Sequence, residues 1–105
     1  MAKNIDIIIQ ARITSKRFPN KVLKKIGEKR ILEIMYERLK FSKKFKKIIF
    51  AIPNNNKNKP LLNFLKSKKY RYFLGDEHNV LKRYYLASKK YRSKYIMRLT
   101  SDCPL

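Results

Sequence analysis

Several things are scarce in this chain. Its 105 residues hold one cysteine, two glycines, no tryptophan and 7 acidic residues against 28 Lys and Arg. A lone thiol, Cys103, makes no internal disulfide and has no second thiol for a zinc pair, so neither a disulfide scaffold nor a cysteine-based metal site is built from it. No apolar run approaches the roughly 18 to 20 residues needed to cross a bilayer, and the chain reaches Asp6 without a signal-peptide stretch. A cytoplasmic location with no membrane partner is the expectation. No glycine precedes Gly27, which excludes the Walker loop and the dinucleotide fingerprint, because both use glycine to let backbone approach phosphate.

What is present suffices for one small domain. Hydrophobic residues make up 44% and aromatics 12%, enough for a core and too much for a disordered basic tail. The formal charge is +21. An excess of that size points to a nucleic-acid or anionic-membrane partner, or else to a compositional drift that places Lys, Asn and Ile across the surface. The lysines fall singly and in pairs from Lys3 to Lys94, which favours drift and disfavours a nucleic-acid partner.

Residues 4–11 are a β-branched run, apolar on both faces, as a buried parallel strand is. Arg12 to Asn20 reads as a loop. Ile31, Ile34, Met35 and Leu39 recur at helical spacing within Arg30 to Ser42. Lys47 to Ile52 reads as a second strand, ended by Pro53 and three asparagines, and a helix begins near Pro60. Tyr70 to Leu74 is a third strand, Val80, Leu81, Tyr84, Tyr85 and Ala87 stripe a third helix, and Tyr95 to Leu99 is a fourth strand. The alternation predicts an α/β fold: a mostly parallel sheet with right-handed crossovers and helices on both faces. Because the chain stops just past a fourth strand, it is expected to be the N-terminal portion of a larger domain, occupying residues 1–105.

In an open sheet of this kind ligands bind beyond the carboxyl ends of the strands. The loop after the first strand brings Arg12, Lys16, Arg17 and Lys21 together within ten residues, and Arg12, Arg17 and Lys21 suit a polyphosphate with Ser15 as a neutral donor. A solvated basic loop is the competing reading. After the fourth strand comes Asp102, a carboxylate of the type that holds Mg2+ beside phosphate oxygens; alone it reads as a helix cap or turn residue.

These segments, with Gln10-Ala11-Arg12, Ser15, Arg17, Pro19, Lys21-Val22-Leu23, Gly75, Val80-Leu81, Arg83-Tyr84-Tyr85 and Asp102-Cys103-Pro104-Leu105, resemble the cytidylyltransferases of the spore coat polysaccharide biosynthesis type, relatives of the acylneuraminate cytidylyltransferases. The resemblance implies a Rossmann-like nucleotidyltransferase fold in three layers. It also implies a Mg2+-dependent enzyme that transfers CMP from CTP to a sugar of a surface polysaccharide and releases pyrophosphate. By resemblance Arg12, Ser15, Arg17 and Lys21 grip the CTP phosphates, with Arg12 and Lys21 stabilising charge in the transition state. Gln10 and Ala11 lie against the nucleoside, Arg98 and Thr100 line the site, Asn79 matches a base-side loop, and Asp102 binds the metal. The family's domain is about twice this length, and its later half supplies a second metal carboxylate, sugar contacts and the surface of a homodimer. Thr14, Asn20 and Ser101 stand where the family has glycine. A basic nucleic-acid-binding module and an inactive truncated fragment are the alternatives.

His78 sits in Asp76-Glu77-His78-Asn79, where neighbouring loop residues rarely converge on one ion, and it reads as a helix-start residue. Cys103 has no histidine partner to activate it and takes a packing role. Tyr70, Tyr72, Phe73, Tyr84, Tyr85, Tyr91 and Tyr95 alternate with cations as a base-stacking platform would, but their spacing places most of them in the core or at its edge.

Overall fold

The computed structural model describes residues 5–11, 25–26 and 29–100. In chain order its elements are strands β1 (Ile5–Gln10), β2 (Lys25–Ile26) and β3 (Lys29–Arg30), helix α1 (Ile31–Ser42), strand β4 (Lys47–Pro53), helix α2 (Lys59–Ser67), strand β5 (Arg71–Gly75), helix α3 (Val80–Lys90) and strand β6 (Tyr95–Thr100). The four longer strands make one parallel sheet in the order β5-β4-β1-β6, and β2 pairs with β3 antiparallel.

The consecutive isoleucines of β1 are explained by this order: a central parallel strand is covered on both faces, so Ile7, Ile8 and Ile9 are all buried. Alternation divides them. Ile7, Ile9 and Ala11 join Ile48, Phe50 and Ile52 of β4 on one face, under Leu32, Met35 and Leu39 of α1 and Leu61, Phe64 and Leu65 of α2. Ile8 meets Ile49 and Ala51 on the other, under Tyr84 and Ala87 of α3. The result is a three-layer helix–sheet–helix sandwich of the Rossmann type. On the first face Tyr70 stacks on Tyr36, with ring centroids 3.9 Å apart.

The connections step outward from β1 to β4 to β5 and then reverse, and α3 carries the chain back across the opposite face to β6 on the far side of β1. A right-handed crossover that changes direction must change face. The reversal makes the β1–β6 junction the topological switch point of the sheet.

Helix ends follow local chemistry. Pro60 lies in the first turn of α2, where its missing N–H is not needed. Asn79 caps α3, its Oδ1 accepting the Lys82 N–H at 2.9 Å. Beyond the other ends, Lys43, Lys69 and Arg92 adopt left-handed backbone with φ of 57°, 59° and 52°. Glycine is the usual occupant of that position, and here each is a cation.

The strands and helices lie within a residue or two of the positions expected from the sequence. The β2–β3 pair and a 3-10 turn at Asn56–Asn58 are additional, because two-residue strands and single turns are too short to show a period.

Candidate functional site

The carboxyl edge of the sheet collects the ends of β1, β4, β5 and β6. Gln10 pairs with Thr100 in the parallel register of β1 and β6, so the two strands finish level with one another, and neighbouring strands lie about 4.8 Å apart. Ala11 follows β1 fully buried, its N–H donating to Ala51 O at 3.1 Å. Arg98 stands on β6 opposite Ile8, exposed to solvent.

Tyr84 of α3 is built into this junction. Its hydroxyl donates to the Leu99 carbonyl at 3.1 Å and also lies beside the Gln10 backbone, so one phenol touches the last turn of chain on both strands of the switch point. Burial raises its pKa, against the lowering influence of Arg83 and Arg98. The Arg98 guanidinium lies 5.7 Å from the centre of the Tyr84 ring, a cation–π distance that anchors an exposed cation beside the ends of β1 and β6.

On the other side of the same edge, the turn after β5 is tightly specified. The Asp76 carboxylate accepts from the backbone N–H groups of His78 and Asn79, both at 2.8 Å, and these bonds hold its pKa below the usual value, the one from Asn79 most of all. Arg83, 1% exposed, donates from Nη1 to the Asp76 carbonyl at 2.6 Å. Its stem passes so close to Gly75 that a Cβ there would lie 2.6 Å from Arg83 Cγ and 2.9 Å from a ring carbon of Phe73. Glycine at 75 is therefore a packing requirement set by a buried arginine.

Two cavities flank the ends of β4 and β5. One, of about 190 Å³, is lined by Pro53, Asn55, Asn58, Lys59 and Leu62, among others. The other, a shallow depression of about 370 Å³ open to solvent, is bounded by Phe73, Gly75, Asp76, Lys82 and Leu86, among others. Asn54 and Leu74 line both.

Of the residues singled out from the sequence, the structure brings Gln10, Ala11, Arg98 and Thr100 to the β1–β6 junction. Asn79 is on the same edge but beyond β5, at the other side of the sheet, with its side-chain oxygen engaged in capping α3. Arg12, Ser15, Arg17, Lys21 and Asp102 lie outside the described residues, as does Cys103. Tyr84 is the position whose role sequence reading missed: it was placed in an apolar stripe, and the available signal was its hydroxyl, which has to find a partner when buried.

Comparison with known proteins locates this geometry. Residues 7–105 match the family model described as cytidylyltransferase. An uncharacterized protein of Methanocaldococcus jannaschii is 47% identical over 98 residues, covering 93% of this chain and 40% of its own length. The spore coat polysaccharide biosynthesis protein SpsF of Bacillus subtilis is 32% identical over 105 residues, covering 96% of this chain and 44% of its own. Among solved structures, a cytidylyltransferase from Leptospira borgpetersenii superposes with a TM-score of 0.86 at 35% identity, over 97% of this chain and 43% of that one. A CMP:2-keto-3-deoxy-manno-octonic acid synthetase complexed with CTP shares the fold, with a TM-score of 0.77 at 20% identity over 95% and 41% of the two chains. The chain thus spans less than half the length of these relatives.

Proposed function

Because the chain belongs to the cytidylyltransferase family, we propose that residues 1–105 form the nucleotide-binding portion of an enzyme that transfers CMP from CTP to a sugar, for a surface polysaccharide, with release of pyrophosphate. The observation that carries this reading is the level ending of β1 and β6 at the switch point, through the Gln10–Thr100 pair. The cationic segment that begins at Arg12 is joined to one strand end, and Asp102 is two residues past the other.

In this reading Arg12, Ser15, Arg17 and Lys21 bind the triphosphate, and Gln10, Ala11, Arg98 and Thr100 line the nucleotide. A sugar oxygen attacks the α-phosphorus, the bond to the bridging oxygen breaks, and pyrophosphate leaves with the electron pair. Arg12 and Lys21 stabilise the charge that grows on the nonbridging and leaving oxygens, each worth on the order of 10²- to 10³-fold in rate by analogy with an oxyanion donor. By its likeness to the family, Asp102, two residues past the end of β6, is the residue that would hold Mg2+. A hard carboxylate beside phosphate oxygens suits that ion, which when bound neutralises phosphate charge. Tyr84 acts as a positioning residue, tying β6 to β1 beneath the nucleotide. Among the described residues no helix is long and apolar enough to cross a membrane, and the full-length protein is proposed to be a cytoplasmic homodimer.

Calorimetric titration of the chain with CTP tests the reading. Saturable binding that requires Mg2+ and disappears in Arg17→Ala and Lys21→Ala is expected. Binding that ignores both substitutions, or an equal affinity for any duplex that falls steeply with salt, would replace it with a nonspecific polyanion-binding module.

A further inference from the structure

The opposite, amino-terminal edge of the sheet is where the three helix-to-strand connections gather. From the last turn of each helix to the first residue of the next strand, they carry five cations between Lys40 and Lys47, four between Lys66 and Arg71 and four between Lys89 and Lys94, with no acidic residue among them. At the carboxyl edge the strand-to-helix connections after β4 and β5 hold Lys57, Lys59 and Lys82 against Asp76 and Glu77, together with five asparagines, and the longer connection after β1 carries Arg12, Lys16, Arg17 and Lys21 together with Glu28. The acidic residues of the connections, Glu28, Asp76 and Glu77, therefore all fall between a strand and the next helix, and none falls between a helix and the next strand.

Local structure uses only part of this charge. The three helix C-termini contribute roughly −0.5 each, and among the described residues buried Asp6 lies 3.6 Å from Lys47 and Glu33 lies 3.1 Å from Lys68. Most of the thirteen cations remain in excess of these partners. They lie around the end of a parallel sheet, on one side of the molecule. Eleven are lysines, compact point charges suited to a diffuse field rather than to the bidentate phosphate reading that arginine provides. Beside them Phe41, in the last turn of α1, is 86% exposed, and Tyr95, the first residue of β6, is 58% exposed.

We propose that this amino-terminal edge is a docking surface for an anionic lipid membrane, with its lysines against the headgroups and Phe41 inserted among them. Lysines near an anionic leaflet and an exposed aromatic ring are the two ingredients of peripheral attachment. No membrane-spanning segment is needed for it, so the lack of one in the sequence does not bear on this surface. The nucleotide edge then faces away from the bilayer, at the other end of the strands.

The test is sedimentation of the chain with vesicles of phosphatidylcholine alone or with about 30% phosphatidylglycerol, at about 0.1 M salt, where exposed charges interact over about 10 Å. Binding to the anionic vesicles only is expected. Lys44→Gln, Lys69→Gln and Lys94→Gln combined should weaken partitioning about 10²-fold, since each lysine near such a surface contributes about 1 kcal/mol. Lys57→Gln, Lys59→Gln and Lys82→Gln combined, with the same net charge, should change it by less than about threefold, the distant edge being more than a Debye length from the lipid. Phe41→Ser should weaken it about tenfold without altering its salt dependence, as expected for loss of one buried aromatic side chain. Equal losses from the two triple variants, no binding to anionic vesicles, no effect of Phe41→Ser, or displacement from vesicles by duplex RNA that the same amino-edge lysines bind would each overturn the proposal.

Discussion

The two edges of this sheet are made of the same strands and differ in how their connections are built. At the carboxyl edge the chain is held by specific contacts: Asp76 binds two backbone N–H groups, Arg83 clamps the Asp76 carbonyl, and Tyr84 ties the ends of β1 and β6. At the amino edge the same task is done by short left-handed turns at Lys43, Lys69 and Arg92 and by one buried carboxylate, Asp6, which accepts from the Ser93 hydroxyl and pairs with Lys47. One edge is specified by atoms in contact and the other carries a field. Substitutions at the first should therefore act through packing and at the second through backbone conformation and charge.

Gly75→Ala probes the specified edge most sharply. The new methyl would meet a buried arginine stem and an aromatic ring at distances below 3.0 Å, and neither neighbour is the free end of a flexible chain. Overpacking of this kind costs about 1 to 3 kcal/mol. A lowered urea midpoint with an unchanged slope is expected; an unchanged midpoint would mean that the turn after β5 is as permissive as those at the other edge, and the contrast fails.

The field edge should respond in the opposite direction. Left-handed backbone is strained for any residue with a Cβ, so Lys43→Gly, Lys69→Gly and Arg92→Gly should each stabilise the fold by about 0.5 to 1 kcal/mol, after allowing for the greater freedom glycine has when unfolded. Thermal unfolding of the three single variants measures this. Destabilisation by all three would show that the side chains themselves hold these turns, as Arg83 does at the far edge.

The layers of this fold were legible because each long element carries its own period. The isoleucines of β1 read as a strand covered on both faces, and Leu32, Met35 and Leu39 read as a helix stripe. The order of the strands follows from the reversal of the third crossover, which no local pattern encodes. At the site, Gln10 and Thr100 were named one by one, and their pairing became visible only with the register. Arg83 was hidden for a different reason: a buried arginine in a chain with 28 cations looks like every other one until its neighbours are known. Composition likewise concealed that no acidic residue falls in the helix-to-strand connections, because a count has no direction and two edges of one sheet alternate along the chain.

The smallest expected effects separate the edges by pH. Asp76 at the carboxyl edge has its pKa lowered by the backbone N–H of Asn79 and then of His78, so the unfolded chain takes up a proton there before the folded one does. Its contribution is complete above the ordinary carboxylate pKa and is lost as pH falls through the lowered value. Tyr70, at the start of β5 on the amino edge, behaves in the opposite sense. Burial first, and then Glu33, push it from 10.0 up to about 12, so the unfolded chain releases its proton first and the stabilisation, complete below pH 10.0, is lost as pH rises towards about 12. Urea midpoints across the pH range should then show Asp76→Asn flattening only the acid limb and Tyr70→Phe flattening only the alkaline limb. A Tyr70→Phe variant with the full alkaline decline would assign that limb to the excess of lysines losing charge, and an Asp76→Asn variant with the full acid decline would move the acid-sensitive group away from the turn after β5.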